Sequence, residues 1–134
     1  MKDLTVGIDI GGTNTKYGIV DREGNVLHQG NIATMEYEEF QDYFDAMADA
    51  LRKGIAELPH STRVVGIGVG AANGNYYSGN IERATNLKWK GVLPLARMFN
   101  PSEVFATNPI RSGVVLMSVA RFCFVWLHDA ITDG

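Results

Sequence analysis

The sequence has few of the residues that mark several common protein classes. It contains a single cysteine, Cys123, so no internal disulfide can form, which is typical of proteins from a reducing cytoplasm. Its three histidines show no metal-ligand spacing with that cysteine. The formal net charge is only −3, which gives no general attraction to nucleic acid or to an anionic membrane. We therefore expect a cytoplasmic protein with neither of these partners.

Long apolar runs and several well-known enzyme motifs are also missing. The most apolar stretch, near the C-terminal end, is interrupted by Arg121 and falls short of the ~18 uncharged residues of a membrane span. Met1 leads almost directly into a strand pattern, so we expect no signal peptide. There is no GxxxxGK[ST] phosphate loop and no GxSxG around any serine. With 46% hydrophobic and 20% charged residues, the chain suits one globular domain with a real core.

The most informative stretch is residues 4–20. Apolar and other residues alternate from Leu4 to Ile10, which is the period of a strand with one face against a core. A turn with two glycines follows and leads into a second apolar strand. The glycines allow a tight turn and expose bare N–H groups, to which Thr13 and Asn14 add short polar side chains. This combination suits a phosphate group.

An acidic residue precedes the turn. Asp9 beside a phosphate would be repelled unless a cation lies between them, so it predicts bound Mg²⁺, held directly or through water. The alternative is an ordinary β-hairpin with a Gly-Gly turn. Such a hairpin does not require the polar residues on either side of the glycines, and they favour the phosphate hypothesis.

The segment DIGGTNTK, residues 9–16, closely resembles the first phosphate motif of the ROK sugar kinases, which belong to the actin and hexokinase superfamily. The resemblance covers about residues 3–108. It implies an α/β fold with a ribonuclease-H-like N-terminal domain, in which flanking helices cover a mixed sheet with antiparallel first three strands. It also implies ATP and Mg²⁺ as cofactors and a hexose or N-acetylhexosamine as substrate. The implied phosphate-binding residues are Asp9, Gly11, Gly12, Thr13, Asn14 and Lys16, with Asp9 also at the metal.

The elements that follow agree with this fold. Residues 1–30 read as a three-stranded antiparallel meander, and residues 63–69 read as a buried strand. Between them we predict a helix that begins after Thr34 as N-cap, with Glu36, Glu38 and Glu39 in its first turn, and ends at Pro59. Its apolar stripe consists of Phe40, Phe44, Met47, Leu51, Ile55 and Leu58.

Two further positions resemble sugar-binding parts of the family. Asn86, in the run Ala-Thr-Asn-Leu, matches an asparagine that contacts sugar hydroxyls. Ala71 stands near the place of a Pro-Gly-Pro in the family, so its methyl group is expected to alter the approach of a sugar. Residues 76–83 between them read as an exposed hairpin, and Trp89 as a packing residue.

The resemblance ends at Asn108, which matches a second sugar-binding asparagine. The family's next residue is an aspartate that takes a proton from the attacking hydroxyl, but this chain has Pro109, which has no proton acceptor. Loss of a general base lowers the reaction rate by a factor of ~10² to 10⁴.

We predict a kinase domain at 1–108, a non-matching apolar tail at 109–134 read in a different frame from an ancestral gene, and no C-terminal kinase domain. For the tail, a segment that fills the gap left by that domain is favoured over a patch that drives homo-oligomerisation.

The sequence supports two alternative hypotheses about function. The family resemblance implies an ATP-dependent sugar kinase of glucokinase type, inactive as this chain alone. The alternative is a noncatalytic, kinase-derived module that binds a ligand or a partner. The lack of a DNA-binding helix-turn-helix ahead of the first strand favours the kinase branch of the family over its repressors.

Overall fold

The structure is a computed structural model, and it describes residues 2–59, 61–75, 77–99 and 114–118. Within these residues the elements are β1 (Lys2–Ile10), β2 (Asn14–Asp21), β3 (Val26–Ala33), a 3₁₀ turn (Thr34–Glu36), α1 (Phe40–Ala56), β4 (Thr62–Ala71), β5 (Ile81–Glu82), β6 (Val92–Leu93), α2 (Leu95–Met98) and β7 (Val114–Ser118). None of the described helices is long and apolar enough to cross a bilayer.

The described part of the chain forms a mixed sheet with the strand order β3-β2-β1-β4-β7. β1, β2 and β3 form the predicted antiparallel meander, whereas β4 runs parallel to β1 and β7 parallel to β4. β5 and β6 pair separately in a short antiparallel ladder. β7 lies in the range 109–134, so this part of the predicted tail adds a strand to the same sheet. The predicted domain boundary itself stays a prediction.

The core lies on the face of the sheet that α1 covers. Leu4, Val6, Ile8 and Ile10 of β1 are buried, with neighbouring residues on the other face. The opposite residues of β2 on the same face include Tyr17 and Ile19, because Tyr17 pairs with Ile8 and Ile19 with Val6. The predicted apolar stripe is confirmed: Phe44, Met47 and Leu51 are buried, and Phe40 and Ile55 pack against the core. The helix ends at Ala56 and not at Pro59 as predicted, so Leu58 packs against the core from beyond its end.

The predicted start of the helix is wrong. Thr34 belongs to a 3₁₀ turn, and α1 begins only at Phe40, with Glu39 at the N-cap and no side-chain cap. The three predicted first-turn glutamates therefore precede the helix. The reason is that the Thr34 hydroxyl is buried and bonded to Thr15 at 2.8 Å, so it is not free to cap a helix.

Candidate active site

The turn between β1 and β2 is closed by a backbone hydrogen bond. The N–H of Gly11 donates to the carbonyl oxygen of Asn14 at 3.0 Å, which leaves Gly12 and Thr13 at the tip. The glycines with positive φ lie elsewhere in the described residues, at Gly24, Gly79 and Gly91. The phosphate turn, as we name residues 11–14, therefore does not require glycine for its backbone angles.

Close contacts explain the two glycines instead. A Cβ built on Gly11 would lie 2.7 Å from the carbonyl oxygen of Asn14, and one built on Gly12 would lie 2.6 Å from that of Asn86. Both distances are too short for a real side chain, and both neighbours are backbone atoms that cannot move independently. Position 11 therefore has no side chain because the turn folds back on itself, and position 12 has none because the Asn86 segment lies against it.

That other segment carries the predicted sugar contact. Asn86 and Thr85 are exposed, while Ala84 and Leu87 on either side are buried in the core. The buried pair anchors the segment, and Asn86 lies beside the phosphate turn. The fold therefore brings Asn86 next to Gly12, two predicted site residues from distant parts of the sequence.

The charged residues of the motif lie on the other face of the sheet from α1. Asp9 of β1 and Lys16 of β2 are directly opposite in the antiparallel register, and Asp9 also pairs with Gly70 of β4. Residues paired in this way share a face, so the carboxylate and the ammonium group extend from the same side. Because β1 and β4 are parallel, their carboxyl ends, with Asp9 and Gly70, meet at one edge of the sheet.

The hydrogen-bonding groups under the turn were not predicted. Thr15, Thr34 and Tyr43 are buried, and the Thr15 hydroxyl bonds to those of both Thr34 and Tyr43. Burial raises the pKa of Tyr43 above its usual 10.0; the hydrogen bond with Thr15 opposes this shift, and the negative charge of Asp9 adds to it. The phenol thus stays protonated and can act as a hydrogen-bond donor. The only sequence signal was the position of Thr15 within the motif itself.

Two predicted sugar-site positions have different outcomes. Ala71 ends β4 with its methyl group fully buried in the core, so this methyl group does not line an open surface. Asn108, together with Pro109, lies outside the described residues. Trp89 is a packing residue, as predicted: it is buried, and its indole N–H donates to the carbonyl oxygen of Tyr37 at 3.2 Å.

The donor set fits a magnesium ion that arrives with a nucleotide. The described residues contain no group of three or more histidine, cysteine, aspartate or glutamate side chains that could hold a metal ion alone. Mg²⁺ commonly takes only one or two protein carboxylates and completes its shell with phosphate oxygens and water. Asp9 beside the phosphate turn matches that pattern, whereas a resident structural metal would need more protein ligands.

Comparison with known proteins identifies the family. The model of the ROK family matches residues 5–113 of this chain. The chain belongs to the ROK family. The match agrees with the resemblance seen in the sequence. The mixed sheet with antiparallel first three strands confirms the predicted α/β fold.

This chain matches only part of the length of each ROK relative. The glucokinase of Streptomyces coelicolor is 33% identical over 88 residues, which make up 65% of this chain and 26% of that protein. The chain thus spans about a quarter of the curated relatives it matches. The structure of a ROK glucokinase from Streptomyces griseus in complex with glucose and AMPPNP is 29% identical to this chain, with a TM-score of 0.53. The match covers 84% of this chain and 32% of the glucokinase chain.

The same fold also occurs in a ROK protein described as a transcriptional regulator. A ROK family transcriptional regulator, a homologue of the E. coli MLC protein, superimposes with a TM-score of 0.61 at 15% identity, covering 84% of this chain and 27% of its own. At this identity the likeness shows only a shared fold. The architecture therefore does not by itself separate sugar kinases from regulators.

Proposed function

We propose that this chain is the N-terminal part of an ATP-dependent sugar kinase of glucokinase type, and that it binds substrates without turning them over alone. The observation that carries the proposal is the contact of the Asn86 backbone with Gly12. A kinase must hold the sugar hydroxyl next to the terminal phosphate, and here the candidate sugar residue lies against the candidate phosphate turn. The glucose and AMPPNP found with the Streptomyces griseus relative support this pair of ligands.

The roles of the residues follow from their positions. Thr13 and Asn14 are exposed, and we expect their side chains and N–H groups to donate hydrogen bonds to phosphate oxygens, while Lys16 of β2 adds positive charge. Asp9 would hold Mg²⁺ directly or through water. When held there, the ion would supply positive charge to offset the negative charge of the phosphoryl group. The amide of Asn86 hydrogen-bonds a sugar hydroxyl, and in the sequence Asn108 is the second candidate for this role.

Turnover by this chain alone is not expected. The residue after Asn108 is Pro109, which cannot accept the proton of the attacking hydroxyl. In addition, positioning of both substrates and exclusion of water normally require two domains to close around them. We therefore expect that Pro109→Asp also fails to produce activity.

A noncatalytic role is the second candidate, and Pro109 is the observation that favours it. In that case the chain would bind a sugar, a nucleotide or a partner as a module derived from a kinase. A coupled assay of the purified chain with glucose, mannose and N-acetylglucosamine bears on both hypotheses. Measurable turnover would refute our proposal that the chain is inactive alone.

Calorimetric binding tests the proposed site directly. We expect Asn86→Ala to weaken glucose binding and Lys16→Ala to weaken binding of Mg-AMPPNP, each by about tenfold, the effect of one lost hydrogen bond or charge contact. The controls are Thr85→Ala on the same segment and Lys53→Ala on α1, both exposed. They should leave the two affinities unchanged. Equal effects of site and control variants, or no binding by the wild type, would overturn the proposal.

A further inference from the structure

Three hydroxyl groups form a buried chain beneath the phosphate turn. Thr15 of β2, Thr34 of the 3₁₀ turn and Tyr43 of α1 expose almost none of their surface, at 0%, 1% and 0% respectively. The hydroxyl of Thr15 lies 2.8 Å from that of Thr34 and also bonds to that of Tyr43. A buried hydroxyl without a partner is costly, so the three groups fix one another in a single arrangement.

This chain of hydroxyls holds the phosphate turn from two sides. Thr15 directly follows Asn14, the last residue of the turn. Thr34 donates its backbone N–H to the carbonyl oxygen of Thr13 at 2.9 Å. A displacement of Thr15 or Thr34 would therefore move the turn.

The ring of Tyr43 reaches the Asn86 segment. It packs against the indole of Trp89 with the ring centroids 4.6 Å apart and the planes inclined by 33°. Trp89 follows Asn86 by three residues, and its indole N–H is held by the carbonyl oxygen of Tyr37. A second hydrogen bond connects the same two segments, because Lys88 Nζ donates to the carbonyl oxygen of Met35 at 3.1 Å.

We propose that Tyr43 is a positioning residue, whose hydroxyl fixes the phosphate turn while its ring fixes the Asn86 segment. One buried side chain thus sets the spacing between the two parts of the site, where Gly12 and the Asn86 carbonyl meet. The proposal rests on the function proposed above, because the spacing matters for chemistry only if phosphate and sugar bind there. Tyr43 itself touches neither ligand site directly in this role.

Hydrogen exchange of the full chain, followed by NMR, tests the structural half without any ligand. Tyr43→Phe removes the hydroxyl and keeps the ring. We expect it to speed exchange of the Thr34 and Gly11 amides by about tenfold, the effect of one buried hydrogen bond, while the Val6 amide in β1 changes much less. Thr15→Val removes this bond and also the bond between Thr15 and Thr34, so it should speed exchange of the same amides by at least as much.

A variant of the neighbouring helix residue controls for general loosening. Phe44→Leu alters an adjacent buried ring that packs on Phe99 instead of on Trp89. It should speed exchange throughout the core, with no preference for the turn. Tyr43→Leu removes both the hydroxyl and the ring. Compared with Tyr43→Phe, it should therefore also expose the Trp89 indole N–H to exchange. If Tyr43→Phe and Phe44→Leu give the same pattern, the proposal is overturned.

Ligand binding to the same variants tests the functional half. In the wild type, we expect glucose to raise the affinity for Mg-AMPPNP. Tyr43→Phe should reduce this enhancement by several-fold, and should change the affinity for glucose alone or for Mg-AMPPNP alone much less. An unchanged enhancement in Tyr43→Phe would refute the positioning role. Absence of any binding by the wild type would refute the proposed function instead, and the exchange pattern would still decide whether Tyr43 joins the two segments.

Discussion

The carbonyl oxygen of Asn86 occupies the space that any side chain at position 12 would need. A Cβ on Gly12 would lie 2.6 Å from that oxygen, so the phosphate turn and the Asn86 segment are in direct backbone contact. This contact brings two sequence motifs together at the candidate site.

The first prediction concerns this contact. Gly12→Ala forces the Asn86 segment away from the turn, and we expect it to lower the free energy of unfolding by about 1–3 kcal/mol, as for other overpacked sites. Gly68→Ala in β4 is the matched control, because a Cβ there would meet nothing within 4 Å. It should stay within about 0.5 kcal/mol of the wild type. Urea denaturation measures both, and equal stability of the two variants would count against the contact.

The second prediction concerns acid stability. Hydrogen bonds from the side chain and the backbone of Asn25, together with Lys2, hold the pKa of Asp21 well below its usual 3.8, although burial opposes this shift. A carboxyl group with a lowered pKa in the folded state stabilises the fold above the unfolded pKa, and this contribution is lost as the pH falls below about 4.

Asp21→Asn should therefore be less stable than the wild type at pH 7 but should lose less stability between pH 5 and pH 2. Asp42→Asn, which removes an exposed carboxylate of α1, is the control for the loss of one negative charge, and its effect on stability at pH 7 should be the smaller of the two. Thermal unfolding at a series of pH values provides the measurement. Parallel curves for Asp21→Asn and the wild type would show that Asp21 is not responsible.

The third prediction reverses a common rule. Alanine normally stabilises a helix by about 0.5–1 kcal/mol relative to glycine. At Gly54 in α1, however, a Cβ would lie 2.5 Å from the His28 ring, which packs between this helix and Tyr17. We expect Gly54→Ala to destabilise the chain by about 1–3 kcal/mol.

The same substitution should become favourable once the ring is removed. In a His28→Ala background, Gly54→Ala should stabilise the chain by about 0.5–1 kcal/mol, since only helix propensity remains. Chemical denaturation of the four chains gives the complete double-mutant cycle. A destabilising effect of the same size in both backgrounds would exclude His28 as the cause.

The sequence predicted those parts of the structure that depend on local patterns. The alternation of Leu4, Val6, Ile8 and Ile10 gave β1, and the stripe from Phe40 to Leu51 gave the buried face of α1. Both follow from periodicity in consecutive residues. The Thr34 prediction failed because a capping threonine and a buried core threonine look alike in sequence, and only the distant Thr15 decides between them.

For the candidate site, the sequence likewise predicted the local motifs but not the contacts between them. The motif around Asp9 and the asparagine at position 86 could be found as residues, but nothing in their spacing showed that Gly12 and Asn86 touch. Tyr43 was missed because its role depends on Thr15 and Trp89, which are far from it in sequence. Contacts between distant segments depend on the fold, and these contacts bring the motifs together into one candidate site.

The most direct test of the account is an NMR titration of the backbone amides with AMPPNP in the presence of glucose, with and without Mg²⁺. We predict that, in the wild type, the Gly11, Gly12 and Thr13 amides shift to saturation, and that the affinity rises with Mg²⁺. In Asp9→Asn the rise with Mg²⁺ should be lost. Shifts that spare the turn, or an equal Mg²⁺ dependence in both chains, would contradict a phosphate site built on Asp9 and the two glycines.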